Sequence, residues 1–415
     1  MRHVLPCLAL FALALALPPH GWAGRVSPAD VVVADPAGAC ADGLAPVTAS
    51  LPTGAPTGRR LRLRERIGGR PAGPAIAAQV DGGPGADAPR IRFLLPPGAA
   101  GTRSFAVLAD ASGGPAAMTA RVDPATGQAE IAEEGRPVLR YLFRTVEPGK
   151  RLAPIAPTNL IYARARSDYI HPLYGLDGQE LTLDWPRDHP HHRGIYWAWP
   201  EVGFAGELGD LHALQRVFAR PAGAMRLASG PVFARVEAEN TWMWDDRVPI
   251  VRERAVLRAY RETPVGRLID LELHFRALRD GVTLARRGTE HYGGLNVRMG
   301  PVADQRILFH TDPEGARPRT AWASLCGVFP GSPNSADLVI LQHPANPDFP
   351  GDWVQYPELN WFQPTFPRSG TRHALERPRP LTLRYRLWVR RGGPAPEARY
   401  ARQWRAYADG APAEP

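Results

Sequence analysis

The stretch Ile269-Asp270-Leu271-Glu272-Leu273-His274-Phe275 alternates apolar and polar side chains without interruption. Successive side chains of an extended chain point to opposite faces, so this pattern predicts a strand with one face in a core. The same period of two recurs at Leu381, Leu383, Tyr385, Leu387 and Val389, set against Thr382, Arg384, Arg386, Trp388 and Arg390. Residues 232–242 and 251–260 behave alike. Helical spacing is confined to a short candidate at 204–214 and to 397–407, where Tyr400, Trp404 and Tyr407 share one side. Strands and helices do not alternate, which argues for antiparallel sheets packed face to face. The expected fold class is mainly β: an antiparallel β-sandwich or supersandwich with a small N-terminal all-β domain.

Outward from that core the texture changes twice. Residues 24–125 are rich in Gly, Pro and Ala, with short β-like runs at 31–33, 61–66, 75–80, 91–95 and 105–109 between turn signals. The Pro/Gly segment at 81–88 reads equally as disorder. Residues 126–393 form the expected main domain, and every Trp except Trp22 lies there or beyond. Residues 394–415 are expected to be a C-terminal helix and tail. Residues 1–23 have the order of a secretory signal peptide: Arg2, an apolar run at 5–17, then Gly21-Trp22-Ala23. That run is short for a membrane span, and no other is long enough, so a periplasmic or secreted protein without a transmembrane segment is expected.

The net charge is +9, and Lys150 is the only lysine. The arginines are scattered rather than striped with aromatics, which argues against nucleic acid as a partner. With Cys7 removed by processing, Cys40 and Cys326 remain; an oxidising compartment permits a disulfide between them, and two free thiols fit equally.

The densest chemistry lies between Tyr169 and Trp199. It runs His171-Pro-Leu-Tyr174, then Asp184-Trp-Pro-Arg-Asp188-His189-Pro-His191-His192-Arg193-Gly194. Imidazole titrates near neutrality, exchanges hydrogen bonds and ligates metals. Pro186, Pro190 and Gly194 suggest a rigid loop, the kind of place where a β scaffold holds a site. Three readings stay open. Asp188 orients a histidine acting as general acid or base; two or three of His171, His189, His191 and His192 bind a divalent metal; or the side chains only brace the loop.

Glu290-His291-Tyr292-Gly-Gly-Leu-Asn296-Val-Arg298 is a second constellation, able to join the first around a sugar-sized ligand or to form a plain turn. Glu253 shares a strand face with Val251, Ala255 and Leu257, so it is expected to be a buried ion pair or a catalytic carboxyl. Gln342-His343-Pro-Ala-Asn346-Pro is a polar turn followed by Trp353, Trp361 and Phe362. Aromatics beside polar groups suit sugar binding, although core packing explains them too.

These motifs, taken in order over roughly residues 137–391, resemble the bacterial family labelled PmoA, "methane oxygenase". The label suggests an integral membrane protein, which the missing apolar spans contradict. The resemblance implies an exported protein associated with carbohydrate breakdown and brings no established catalytic residues. One departure falls at Asp210-Leu-His212, where the family pattern has a Trp. The β-rich pattern also looks similar to galactose mutarotase-like supersandwiches, which act on sugars with a histidine and a carboxylate.

The expected function is therefore an exported carbohydrate-active protein using His/Asp acid–base chemistry in hydrolysis, elimination or epimerisation. A non-catalytic sugar-binding protein and a His-ligated metalloenzyme are the alternatives. Asp188, His189, His191, His192 and Glu290 are the catalytic candidates. His171, Tyr174, Arg193, His291, Asn296, Arg298, His343 and Asn346 are the substrate-binding candidates. No metal ligand set or cofactor is assigned, a divalent metal being allowed.

Overall fold

A computed structural model of the chain describes residues 30–35, 45–56, 58, 60–82, 89–98, 100–110, 114–308 and 321–410. The expected signal peptide and Cys40 lie outside the described residues; Cys326 is buried on strand Trp322–Val328. No helix among the described residues is long and apolar enough to cross a membrane.

Strand Arg267–Ala277 sits at the centre of an eight-stranded antiparallel sheet, flanked by Val248–Tyr260 and Leu381–Arg391. The period of two does what it predicts: Ile269, Leu271, Leu273 and Phe275 are fully buried. A second eight-stranded sheet runs from Trp353–Tyr356 through Gly294–Arg298, Ile195–Ala198 and Tyr169–Leu173 to Met118–Asp123. Inward residues of both sheets, among them Leu139, Tyr169, Leu257, Leu271 and Leu383, share one apolar core. The expected antiparallel β-sandwich is thus present. Met118–Asp123 already belongs to the second sheet, so the change of sheet comes before residue 125.

Residues 204–214 are not a helix. Glu201–Phe204 and Glu207–Gly209 form a hairpin whose turn, Ala205-Gly206, has φ of 52° and 80°. Left-handed values at both positions fit a tight two-residue turn and break any helix. The C-terminal helix Glu397–Gly410 does form. Its Tyr400 and Tyr407 pack with Trp322 and Trp388 of the main sheet, while Ala406 joins the core of the N-terminal sheet.

That N-terminal sheet has its own core, built from Leu61, Leu63, Ile91, Phe93 and Phe105. Charge docks it to the main sheet. Asp81 meets Arg92 at 2.5 Å and Arg258 at 2.9 Å, and also pairs with Arg235. Burial opposes ionisation of Asp81, but Arg258, Arg92 and Arg235 outweigh it and hold the carboxyl down at about 2. A carboxyl lowered from 3.8 to about 2 supplies stability that is complete above the unfolded value and lost as pH falls through the folded one. The difference is worth about 2 kcal/mol. Asp81→Asn should therefore lower stability near neutrality by at least about this much. It should also remove part of the wild-type decline between about pH 4 and 2, a window set by the same two values. Denaturant unfolding across that range checks both, and an unchanged acid slope would contradict the clamp.

Candidate functional site

The loop between Thr182 and Gly194 is closed at its base by a bridge from Asp184 to Arg193. Within it the His189 carbonyl accepts the His192 amide at 2.8 Å, making a tight turn that presents His189, His191 and His192 together. Gly194 ends the loop because a Cβ there would collide with the Ile170 carbonyl oxygen. Arg193 turns inward, fully buried. It donates to the carbonyls of Pro190, His192 and Arg164, lies over the Trp185 ring and stands 3.3 Å from Asp184. It braces the loop and does not line the cavity beside it.

That cavity, about 460 Å³, opens beside the loop. Asp188, His189, His191 and His192 line one side. Tyr292, Tyr356 and Trp361 line it with them. Tyr356 and Trp361 face each other across adjacent strands and stack at 5.1 Å with rings 16° apart, while Tyr292 stands edge-on to Trp361 at 5.5 Å. Glu358, from the short 3-10 turn Pro357–Leu359, and Arg287 are also on the lining.

At the mouth, Asp188 and His189 are each 40% exposed and meet at 3.1 Å. Arg298, on strand Gly294–Arg298, grips both Asp188 oxygens at 3.0 and 2.9 Å. Partial burial works against the Asp188 carboxylate, but hydrogen bonds from His189 and Arg298 hold it below its usual range. Asn159 donates to the Asp188 carbonyl at 3.0 Å, which ties the loop to the preceding turn.

Behind the mouth, His191, His192 and His212 are 8%, 2% and 1% exposed. Their candidate ligand nitrogens all lie within 4.8 Å of one another, the only such group of His, Cys, Asp or Glu among the described residues. Burial, reinforced by neighbouring histidines and arginines, pushes all three well below the usual histidine value, so the imidazoles are neutral at pH 7. His212 comes from a turn pinned by reciprocal Asp210–Gln215 backbone bonds at 2.7 Å, with Asp210 in turn held by Arg287 at 2.5 Å.

Four sequence candidates thus meet at the cavity, with Arg298 touching it through Asp188. The others do not. His171 lies on strand Tyr169–Leu173 and pairs with Thr182 at 3.0 Å. Tyr174 lies under the Arg140 guanidinium. Glu290 and His291 are exposed beyond the lining, their carbonyls held by Arg286. The Asn296 amide is spent on the Gly294 carbonyl at 2.8 Å. His343 and Asn346 belong to a distant turn: His343 stands edge-on to Tyr407, and Asn346 brackets the Arg384 backbone. A polar turn and a catalytic loop use the same residue types, so composition alone could not separate them.

Sequence reading missed His212, Tyr356 and Glu358. His212 carried one signal, the departure from the family pattern at 210–212. Glu253 is neither an Arg ion pair nor near the cavity: it is buried against Asp168, Asn240, Trp197 and Trp242.

The profile of a family described as a family of unknown function, DUF6807, matches residues 128–405. We found no curated protein that matches the chain. Among solved structures, the chain is similar to a protein in the glycosyl hydrolase family 38 from Enterococcus faecalis, at 11% identity and a TM-score of 0.41. The match covers 91% of this chain and 46% of that one. An alpha-mannosidase from Enterococcus faecalis V583 matches at 11% identity and a TM-score of 0.42, covering 91% of this chain and 44% of the other. The chain spans less than half the length of either.

Proposed function

The chain belongs to DUF6807, a family of unknown function, and from that premise we propose that its cavity receives and transforms a carbohydrate. One observation carries this reading: an open cavity of about 460 Å³ sets an aromatic face against a charged, hydrogen-bonding mouth. The apolar face of a pyranose stacks on aromatic rings while its hydroxyls need paired polar partners. Tyr356 supplies the partly exposed ring, backed by the buried Trp361 stacked beneath it. Asp188, His189, Glu358 and Arg287 supply the partners. His189, held by Asp188, is the exposed imidazole that exchanges a proton with a bound hydroxyl or glycosidic oxygen. Arg298 keeps Asp188 in place for that task. The order of residues 1–23 and the resemblance to the PmoA-labelled family support an exported protein.

A panel of oligosaccharides, followed by calorimetry and by reducing-end, unsaturated-product and epimer detection, tests the proposal. Tyr356→Ala should weaken saccharide binding about tenfold, the value of roughly 1.4 kcal/mol of stacking and packing. His189→Ala should lower turnover about 10²- to 10⁴-fold with binding retained. Saturable binding without product from any saccharide would leave a binding protein in place of an enzyme. No saccharide binding at all would end the proposal.

A further inference from the structure

We propose that His191, His192 and His212 form a three-histidine site for a divalent transition metal, zinc foremost, facing the carbohydrate cavity. The inference deepens the reading above, which it takes as the use of the same cavity, but its test stands apart from sugar binding.

Two features of the side chains converge. The first is proximity: the candidate nitrogens lie within 4.8 Å of one another. Zinc–imidazole bonds of about 2.1 Å in tetrahedral geometry put ligand nitrogens roughly 3.4 Å apart, so small ring rotations close the set. The second is want of partners. His191 Nδ1, His192 Nδ1 and His212 Nε2 are buried and make no hydrogen bond. Leaving one polar atom so is costly, and three clustered together call for a shared partner.

The surroundings fit a metal centre rather than a bridging water. Tyr196 stands 3.4 Å from His212 Nδ1, on the far side of the ring from Nε2. A partner on the second nitrogen fixes ring orientation and is the usual support of a ligating histidine. Tyr162 and Trp361 pack on His191 and His192, which limits ring rotation. All-nitrogen donors favour zinc and its transition-metal neighbours over calcium or magnesium, which prefer oxygen. Three protein ligands leave a coordination position open, as in catalytic rather than structural sites. His191 and His192 line the cavity, so a water or a ligand hydroxyl can take that position. There the metal acts as a Lewis acid on the coordinated oxygen.

The cluster lies among guanidiniums, and a second positive charge is tolerable only if these are balanced. Arg287 is paired with Asp210, Arg298 with Asp188, and Arg193 stands beside Asp184. Arg166 is stacked over the Tyr196 ring and donates to the His191 and Leu211 carbonyls.

The experiment uses the full chain. Protein purified without chelator is assayed for bound metals by mass spectrometry, stripped, then titrated with Zn²⁺ and with Co²⁺ as a spectroscopic probe. The expected result is one metal per chain, visible Co²⁺ bands of low-symmetry nitrogen coordination, and a rise of several degrees in Tm on adding Zn²⁺. His212→Gln should weaken Zn²⁺ binding at least a hundredfold, with folding checked by circular dichroism. If that variant does not fold, His192→Ala serves instead, and Tyr196→Phe should weaken binding about tenfold through lost orientation. His343→Gln, at the distant turn, should bind like wild type. Wild type that takes up no stoichiometric metal, or that matches His212→Gln in affinity, overturns the inference. Saccharide binding by stripped protein would then still stand, whereas metal binding with no saccharide ligand would fail only the earlier reading.

Discussion

Arg193→Ala is expected to cost about 3–5 kcal/mol of stability and to abolish ligand binding in whatever fraction still folds. The reasons are local. Arg193 is fully buried, and its guanidinium serves three carbonyls from two segments, those of Pro190, His192 and Arg164. Removing it orphans those acceptors, leaves Asp184 without its nearby cation and empties the space over the Trp185 ring. A buried charge lost from one side of such an arrangement is costly because the other side stays unpaired. The loop it staples carries His189, His191 and His192, so the stability loss and the functional loss have one origin. Arg193→Lys should rescue little, since an ammonium cannot reach several carbonyls in a planar fork. Guanidinium denaturation and calorimetry measure both effects. A loss below about 1 kcal/mol with binding intact would mean the loop is held by something else.

How far the sequence could be read depended on the range of the signal. Strands such as Arg267–Ala277 were legible because their period is local: each buried Leu is reported by its own neighbours. The histidine loop was legible as a loop because Pro and Gly restrict the backbone wherever they occur. What joins it was not. His212 sits in a turn some twenty positions later, and Tyr356 and Trp361 arrive on a hairpin, distant in sequence, at one edge of the same sheet. Only the topology brings those three elements to one cavity. The mistaken helix at 204–214 has a related cause. Phe204, Leu208 and Leu211 imitate a helical stripe, yet Phe204 and Leu208 lie on the two strands of a hairpin and Leu211 in the turn after it. The Gly at 206, φ 80°, was the better guide.

Glu253→Ala and Asp168→Asn should differ sharply although the two carboxyls share one buried site. Glu253 accepts the indole N–H groups of Trp197 at 2.8 Å and Trp242 at 2.6 Å, and the Asn240 amide at 3.2 Å. Asp168 accepts from Tyr141 at 2.8 Å and Asn240 at 2.9 Å, and hydrogen-bonds Glu253. Burial and the Glu253 charge drive Asp168 well above the usual carboxylate range. Burial raises Glu253 too, against the bonds from Asp168, Trp242, Trp197 and Asn240. Two carboxylates cannot both ionise there, so Asp168 keeps the proton and donates it to ionised Glu253. Asparagine reproduces a neutral acceptor-and-donor of that size, and it tolerates the left-handed φ of 69° at this position. Asp168→Asn should therefore cost under about 1 kcal/mol at pH 7. Glu253→Ala orphans two indoles and an amide and should cost about 3–5 kcal/mol. A pH series separates the causes further. The contribution of a group with a raised folded value is complete below its unfolded value and lost as pH rises through the folded one. Wild type should thus lose part of its stability on going from acid toward alkaline pH, and Asp168→Asn, with no proton to lose there, should not. Equal losses from the two substitutions, or a wild-type decline that survives in Asp168→Asn, would place the shared proton elsewhere.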